Sequence, residues 1–272
     1  MASSLKEFIK SNFPLFVSAV QDYRYLRDFR KSKFYLTSYG FKLSGNKAMA
    51  DGKFEEEETF QLKGLLGDCD IFVDVGANIG FFSCLARSCG SQVIAIEPST
   101  QNLNYLHANL KANGWDDVEV FPVGLSMRPG KGLLYGKSTG ASLVKNWANN
   151  SASLGHAVSL NTLDILLGDR HKGKKLIIKI DVEGSELEVL KGALKTLTRL
   201  PSPVWIIEIC FNENIPYGIN PNFKTVFGIF WENGYYAQTF EKNARRVEEN
   251  DIDRWIMNGK RDFGYVNYIF KR

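Results

Sequence analysis

Cysteine and histidine are scarce: the 272 residues hold four cysteines (Cys69, Cys84, Cys89 and Cys210) and three histidines. No C-x-x-C pair occurs and no histidine is spaced to complete a zinc site, which excludes zinc-ribbon and thioredoxin-like chemistry and predicts a reduced, cytoplasmic chain. Long apolar runs are also missing. The longest, such as Val204 to Ile207, are of strand length, far from the roughly 20 apolar residues that a spanning helix needs. Pro14 breaks the short apolar patch Phe13 to Val20, which argues against a secretory leader. With only 8 prolines and 24 glycines, and 44% hydrophobic residues, neither a collagen-like nor a disordered class fits. One large α/β domain, or two small ones, is the scale this length allows.

Charge is uneven. The 34 Lys and Arg residues exceed the 30 Asp and Glu residues by four. The whole excess lies in residues 1–40, where seven basic residues face three acidic ones. A solvated helix face is the expected reading of that segment, with weak surface contact as the alternative. Basic and aromatic residues are not interleaved as on a nucleic-acid platform, so no nucleic-acid partner is expected.

From about residue 70 the chain alternates β-branched runs with helical patterns, the signature of a parallel sheet with crossover helices. The runs are Ile71–Val75, Val93–Glu97, Val118–Val123, Leu176–Asp181 and Val204–Ile209. Helices are predicted over Phe81–Cys89, Ser99–Asn113 with Gly114 as the stop, and from Ser185, where Ser185 and Glu188 have capping-box spacing and Leu187, Leu190, Leu194 and Leu197 make one stripe. Tyr235–Phe240 and Tyr265–Phe270 read as an antiparallel pair at the sheet edge. Gly130–Gly155, rich in Gly, Ser, Asn and Lys, reads as an excursion that either faces the substrate or is a plain surface loop. Residues 1–60 are expected to form an N-terminal helical and hairpin extension, and residues 61–272 the main domain.

The strongest chemical signal is Val73-Asp74-Val75-Gly76-Ala77-Asn78-Ile79-Gly80, which ends a buried strand and opens a helix. Gly76 allows the sharp turn and Gly80 a close helix. Asn78 stands where the dinucleotide fingerprint G-x-G-x-x-G needs its second glycine, which counts against an NAD-dependent oxidoreductase. Asp74 would repel a pyrophosphate but could orient a cationic amino group. Glu97, 21 positions after Gly76, can accept the hydroxyls of a ribose. Two strand-end carboxylates suit a nucleoside that carries an amino acid and no phosphate, which describes S-adenosylmethionine. In Lys179-Ile180-Asp181-Val182-Glu183-Gly184-Ser185-Glu186, strand alternation puts Lys179 and Asp181 on one side. Glu208, inside the apolar strand Trp205-Ile206-Ile207-Glu208-Ile209, needs a partner, a metal or a task.

Together these motifs resemble the FkbM family of S-adenosylmethionine-dependent methyltransferases. The resemblance runs through Phe54-Glu55 with Glu57-Glu58-Thr59, the Asp74–Gly80 turn, Glu97-Pro98, Thr162-Leu163-Asp164, Lys179–Glu186 and Glu208-Ile209. It implies a class I methyltransferase fold, Rossmann-like, with a mostly parallel seven-stranded sheet and an antiparallel edge hairpin, and methyl transfer to a hydroxyl of a sugar or small metabolite. Asp74, Gly76, Ala77, Asn78, Gly80, Glu97 and Asp181 are then expected to bind S-adenosylmethionine, with Ser126 at the adenine side. There Met127 replaces an acidic residue common in the family. Asp181 is the expected base or acceptor-orienting group, with Glu208 second and Lys179 beside them. No metal is assigned; a cation held by Asp181 and Glu208 is the variant, and it lacks a third ligand. The base-methylating proline-aromatic tetrapeptide is absent, its place reading Asp181-Val182-Glu183-Gly184. A SAM-fold protein that binds without turnover is the non-catalytic alternative.

Overall fold

A computed structural model describes residues 12–136, 140–149, 155–215 and 218–272. An N-terminal helix α1 (Pro14–Arg30) leads into a small hairpin of β1 (Tyr35–Leu36) and β2 (Lys42–Leu43), then α2 (Lys47–Ala50) and α3 (Glu56–Leu66). The alternating part follows as β3 (Ile71–Val75), α4 (Phe81–Ser88), β4 (Gln92–Ile96), α5 (Thr100–Ala112) and β5 (Glu119–Phe121). The excursion contributes β6 (Gly124–Leu125), β7 (Gly130–Leu134) and β8 (His156–Asn161). After it come α6 (Leu163–Leu167), β9 (Leu176–Ile180), α7 (Glu186–Lys191), α8 (Leu194–Leu197) and β10 (Val204–Glu208). The chain closes with α9 (Phe223–Glu232), β11 (Tyr236–Thr239), β12 (Arg246–Val247), α10 (Glu249–Asn258) and β13 (Asn267–Lys271).

The main sheet has the order β12-β11-β13-β10-β9-β3-β4-β5. Strands β5, β4, β3, β9 and β10 run parallel, and β13 is antiparallel to both β10 and β11. The α/β architecture expected from the alternating runs is the one adopted, larger by the two-residue strand β12 that pairs with β11. The two terminal runs do pair, but β13 slots between β10 and β11 rather than forming the rim.

Both sheet faces are covered, which is why the central strands are apolar throughout. Alternate residues separate the two cores. Ile71, Val73, Val75, Ile178, Ile180, Trp205 and Ile207 join the core under α7 and α9. Phe72, Ile177 and Ile206 join the opposite core under α3, α4 and α5, to which Phe41, Leu43 and Met49 of the N-terminal segment also belong. By the same parity Asp74, Lys179 and Glu208 fall on this second face. Tyr25 and Phe29 of α1 stack edge-on against Tyr105 of α5, at 6.1 and 4.9 Å.

Two local expectations need correction. Ser185 makes no side-chain cap, and Glu186 instead accepts from the Gly184 N–H at 2.9 Å. The leucine stripe breaks where the helix divides at Gly192, leaving Leu194 exposed while Leu187, Leu190 and Leu197 are buried. The excursion is not a plain loop: β6, β8 and β7 form a three-stranded sheet of their own. Among the described residues no helix is long and apolar enough to cross a membrane. All four cysteines are unpaired.

Candidate active site

At the C-terminal ends of the parallel strands lies a cavity of about 370 Å³, within the range of small-molecule sites. This edge is where ligands of doubly wound sheets bind, because neighbouring connections diverge to opposite faces there. Gly76, Ala77, Asn78, Glu97, Asp181 and Glu208 all line it, as do Gly124 and Leu125 on the far side. Sequence reasoning thus brings six of its site residues to one wall.

The glycine turn is dictated by contact. Gly76 has φ +86°, and a Cβ on it would stand 1.8 Å from the Asp181 carbonyl oxygen. The Asp181 N–H in turn donates to the Val75 carbonyl at 3.0 Å, so the two motif loops are stitched together. Gly80, at φ +87°, lets Leu106 of α5 press in, with a Cβ 2.4 Å from its Cδ1. Asn78 is left-handed too, at φ 52°, a conformation asparagine tolerates. Its N–H donates to Glu97 Oε2 at 2.8 Å, and its own Oδ1 is buried without a partner.

Glu97 is held firmly. Its Oε1 accepts from the Ser99 N–H at 2.8 Å and from Asn102 Nδ2 at 3.2 Å. Burial pushes its carboxyl up to about 7, against these hydrogen bonds. Asp74 differs from its companions. It is 2% exposed, accepts from Ser83 Oγ of α4 at 2.6 Å and does not line the cavity, so its carboxyl lies behind the wall; burial pushes it up to about 6. Gly80, Ser126 and Lys179 likewise do not line the cavity. The Ser126 backbone packs on Gly192, whose Cβ would meet its carbonyl oxygen at 2.2 Å.

Lys179 organises the acids. Fully buried, it holds Asp181 Oδ2 at 2.9 Å and Glu58 Oε1 at 3.5 Å, and its Nζ sits 4.5 Å from the centre of the Phe82 ring. Burial would strip its proton, but Asp181, Glu58, Glu55 and Asp74 outweigh that and drive its pKa up. Asn267 of β13 donates to Glu58 at 2.6 Å, tying α3 to the same cluster. Glu208 is pushed well up, first by the charge of Asp181 and then by burial, and accepts from the Cys210 thiol at 3.3 Å. Among the described residues no group of three His, Cys, Asp or Glu side chains is placed to hold a metal ion.

Sequence reasoning quoted Glu55 in the family motif but gave it no role in the site. Glu55 lines the cavity, with φ 43° just before α3; burial and the neighbouring Glu58 push it up to about 8. In the sequence it hides in the acidic run Glu55–Glu58, which looks like ordinary helix N-terminal charge. The excursion, for which the sequence left a substrate-facing segment and a plain surface loop both open, docks on the strand end. Trp147 Nε1 donates to Glu183 at 2.6 Å, Ser142 Oγ donates to the Glu183 carbonyl at 2.6 Å, and the Trp147 ring lies so close to Gly184 that a Cβ there would be 2.5 Å away. Gly140, Ala141, Leu143 and Ala148 thereby join the lining. Lys145 and Asn146 stay exposed, and Lys137, Ser138 and Thr139 lie outside the described residues.

A model of the protein family described as the Methyltransferase FkbM domain matches residues 74–237, more than half of the chain. The chain belongs to the FkbM methyltransferase family. The matched span of this FkbM chain begins at Asp74 itself and takes in the glycine turn, Glu97, Asp181 and Glu208. It is also similar to the hexuronic acid methyltransferase AglP of Haloferax volcanii, 30% identical over 131 residues that cover 47% of this chain and 52% of the relative, about half the length of that protein. Among solved structures it is similar to an O-methyltransferase from Bacillus cereus in complex with SAH (TM-score 0.44, 14% identity, 98% of this chain and 96% of that one). A further one is the cofactor-bound Rv0187 from MTB (TM-score 0.44, 15% identity, 79% and 78%).

Proposed function

We propose that this FkbM chain transfers a methyl group from S-adenosylmethionine to a hydroxyl of a sugar or small metabolite. The observation that carries the reading is that Glu97 and Asp181 line one cavity on either side of the Gly76–Gly80 turn. The residues present suit that cofactor. Glu97 faces the cavity as a diol acceptor, Asn78 Oδ1 is a buried acceptor still without a donor, and the apolar Ile96, Val123 and Leu125 flank the space beyond. Asp74, behind the wall, contributes negative charge under the amino-acid end rather than a direct contact. When bound, S-adenosylmethionine supplies an electrophilic methyl and leaves as the neutral thioether.

The chain's own task is to hold the acceptor oxygen about 3 Å from that methyl and to take the hydroxyl proton as the C–O bond forms. Asp181 is the candidate for both, a reading supported by Lys179 holding its carboxylate at 2.9 Å while the residue lines the cavity. Glu208 stands beside it on the neighbouring strand as a second acceptor-binding group. The hexuronic acid acted on by AglP supports a sugar acceptor. The test is two-part. Calorimetry with the demethylated product, S-adenosylhomocysteine, should give micromolar binding, roughly 8 kcal/mol. Labelled S-adenosylmethionine offered with a panel of sugars and small alcohols should label a hydroxyl. Label found on protein or RNA amines, and on no alcohol, would refute O-methylation.

A further inference from the structure

The described lining of the cavity carries five acidic side chains, Glu55, Glu97, Asp181, Glu183 and Glu208, and no lysine, arginine or histidine. Lys179, adjoining Asp181, is 2% exposed and already held between Asp181 and Glu58. It has no face left for a substrate carboxylate. Glu55 lines the cavity from outside the span matched by the family model, and its Oε2 is buried without a hydrogen-bond donor. Glu208 accepts only from a thiol at 3.3 Å among the described contacts, a weak donor. These two carboxyls therefore lack the hydroxyl donors that a polyol would bring. Because burial and Glu58 raise Glu55 to about 8, its carboxyl can hold a proton at neutral pH and both give and receive hydrogen bonds.

We infer that the acceptor is an uncharged polyol seated against Glu55 and Glu208, and that this cavity discriminates against the hexuronate class on which AglP acts. The inference rests on the methyl-transfer reading and deepens it. A hexose and its uronic acid share ring and hydroxyls and differ in one carboxylate. Among the described residues the wall offers that carboxylate no cation, and it would add a further negative charge to a cluster whose own members already repel one another, as the upward push of Asp181 on Glu208 shows; like-charge juxtaposition of this kind is how interfaces reject wrong partners.

The test is ligand-observed NMR on the full chain saturated with S-adenosylhomocysteine, titrated with methyl α-glucopyranoside and, separately, with methyl α-glucopyranosiduronate. Binding of S-adenosylhomocysteine, measured first, reports on the cofactor reading by itself. The hexoside should bind at least about tenfold tighter than the uronoside. Equal or tighter uronoside binding overturns the inference, and so does failure of both sugars to bind. Glu55→Gln, which keeps a donor and an acceptor and cannot ionise, should hold hexoside affinity within about threefold, whereas Glu55→Ala should weaken the hexoside about tenfold. Unchanged hexoside affinity in Glu55→Ala, with cofactor binding intact, would remove Glu55 from the acceptor site. Where a Glu55 variant does not fold, the wild-type comparison of the two sugars still decides the charge question.

Discussion

Replacing Gly76 by alanine probes the join between the two motif loops, and Gly90 supplies an internal control. Both glycines are left-handed, at φ +86° and φ +95°, but the added methyl group meets the Asp181 carbonyl oxygen at 1.8 Å in one and nothing within 4 Å in the other. Left-handed backbone costs an L residue roughly 1–2 kcal/mol, and both variants incur it. Overpacking adds about 1–3 kcal/mol, and only Gly76→Ala incurs that, because its obstacle is backbone and cannot rotate away. Gly76→Ala should therefore lose about 2–5 kcal/mol against about 1–2 for Gly90→Ala. At roughly 2–4 °C per kcal/mol for a chain of this size, the melting temperatures separate clearly in a thermal-shift assay. The turn must also retreat from Asp181 by an ångström or more, a misplacement of the kind that costs about 100-fold in rate. S-adenosylhomocysteine binding should weaken in Gly76→Ala and stay unchanged in Gly90→Ala. Equal melting temperatures and equal affinities for the two variants would refute the close-approach argument.

Asp181→Asn should abolish methyl transfer, a loss of at least about 100-fold, while calorimetry finds S-adenosylhomocysteine affinity within about threefold of wild type; retained turnover would move the base elsewhere. The ligand-free protein should lose stability as pH rises. Burial holds protons on Asp74 up to about 6, on Glu97 and Glu186 to about 7 and on Glu55 to about 8. The unfolded chain releases them near pH 4. Their contribution is thus complete below that value and is lost as pH climbs through the folded-state values. Urea midpoints should fall between pH 5.5 and 8.5, and a rise across that window would contradict the burial of these acids. Gly184→Ala should push Trp147 off the strand end, raising the acceptor KM several-fold with little effect on cofactor affinity; equal effects on both would place the excursion at the cofactor rather than the acceptor.

What was legible in the sequence follows the strength of local signals. Ile71–Val75 and Leu176–Ile180 are β-branched, apolar and punctuated by glycine or acid at their ends, so strand, turn and functional edge are announced together. Asp74, Asp181 and Glu208 stand out because a carboxylate in such a strand has no cheap structural reason. The sheet of the excursion is silent by comparison. Gly130–Leu134 has two glycines and no β-branched residue, and its partner His156–Asn161 lies across a polar stretch, so pairing comes from tertiary contact that no local pattern records. Glu55 was hidden for a related reason: its meaning lies in a left-handed backbone and in burial beside Lys179, neither of which a run of glutamates reveals. The insertion of β13 between β10 and β11 is equally non-local, since both possible neighbours offer similar apolar edges.

The family match starts at Asp74, yet part of the cavity wall is built upstream of it by Asn46, Met49, Phe54 and Glu55. On the proposed methyl-transfer reading, the acceptor wall therefore draws on both sides of that boundary, with Glu55 upstream of it and Asp181 and Glu208 within the matched span. A chimera that exchanged only the matched span between two FkbM enzymes should carry part of the acceptor preference with it, and one that exchanged residues 46–55 as well should carry the rest. Relatives sharing every motif from Asp74 onward can therefore part company over what they methylate, and a signature read from the core alone will group together enzymes with different customers.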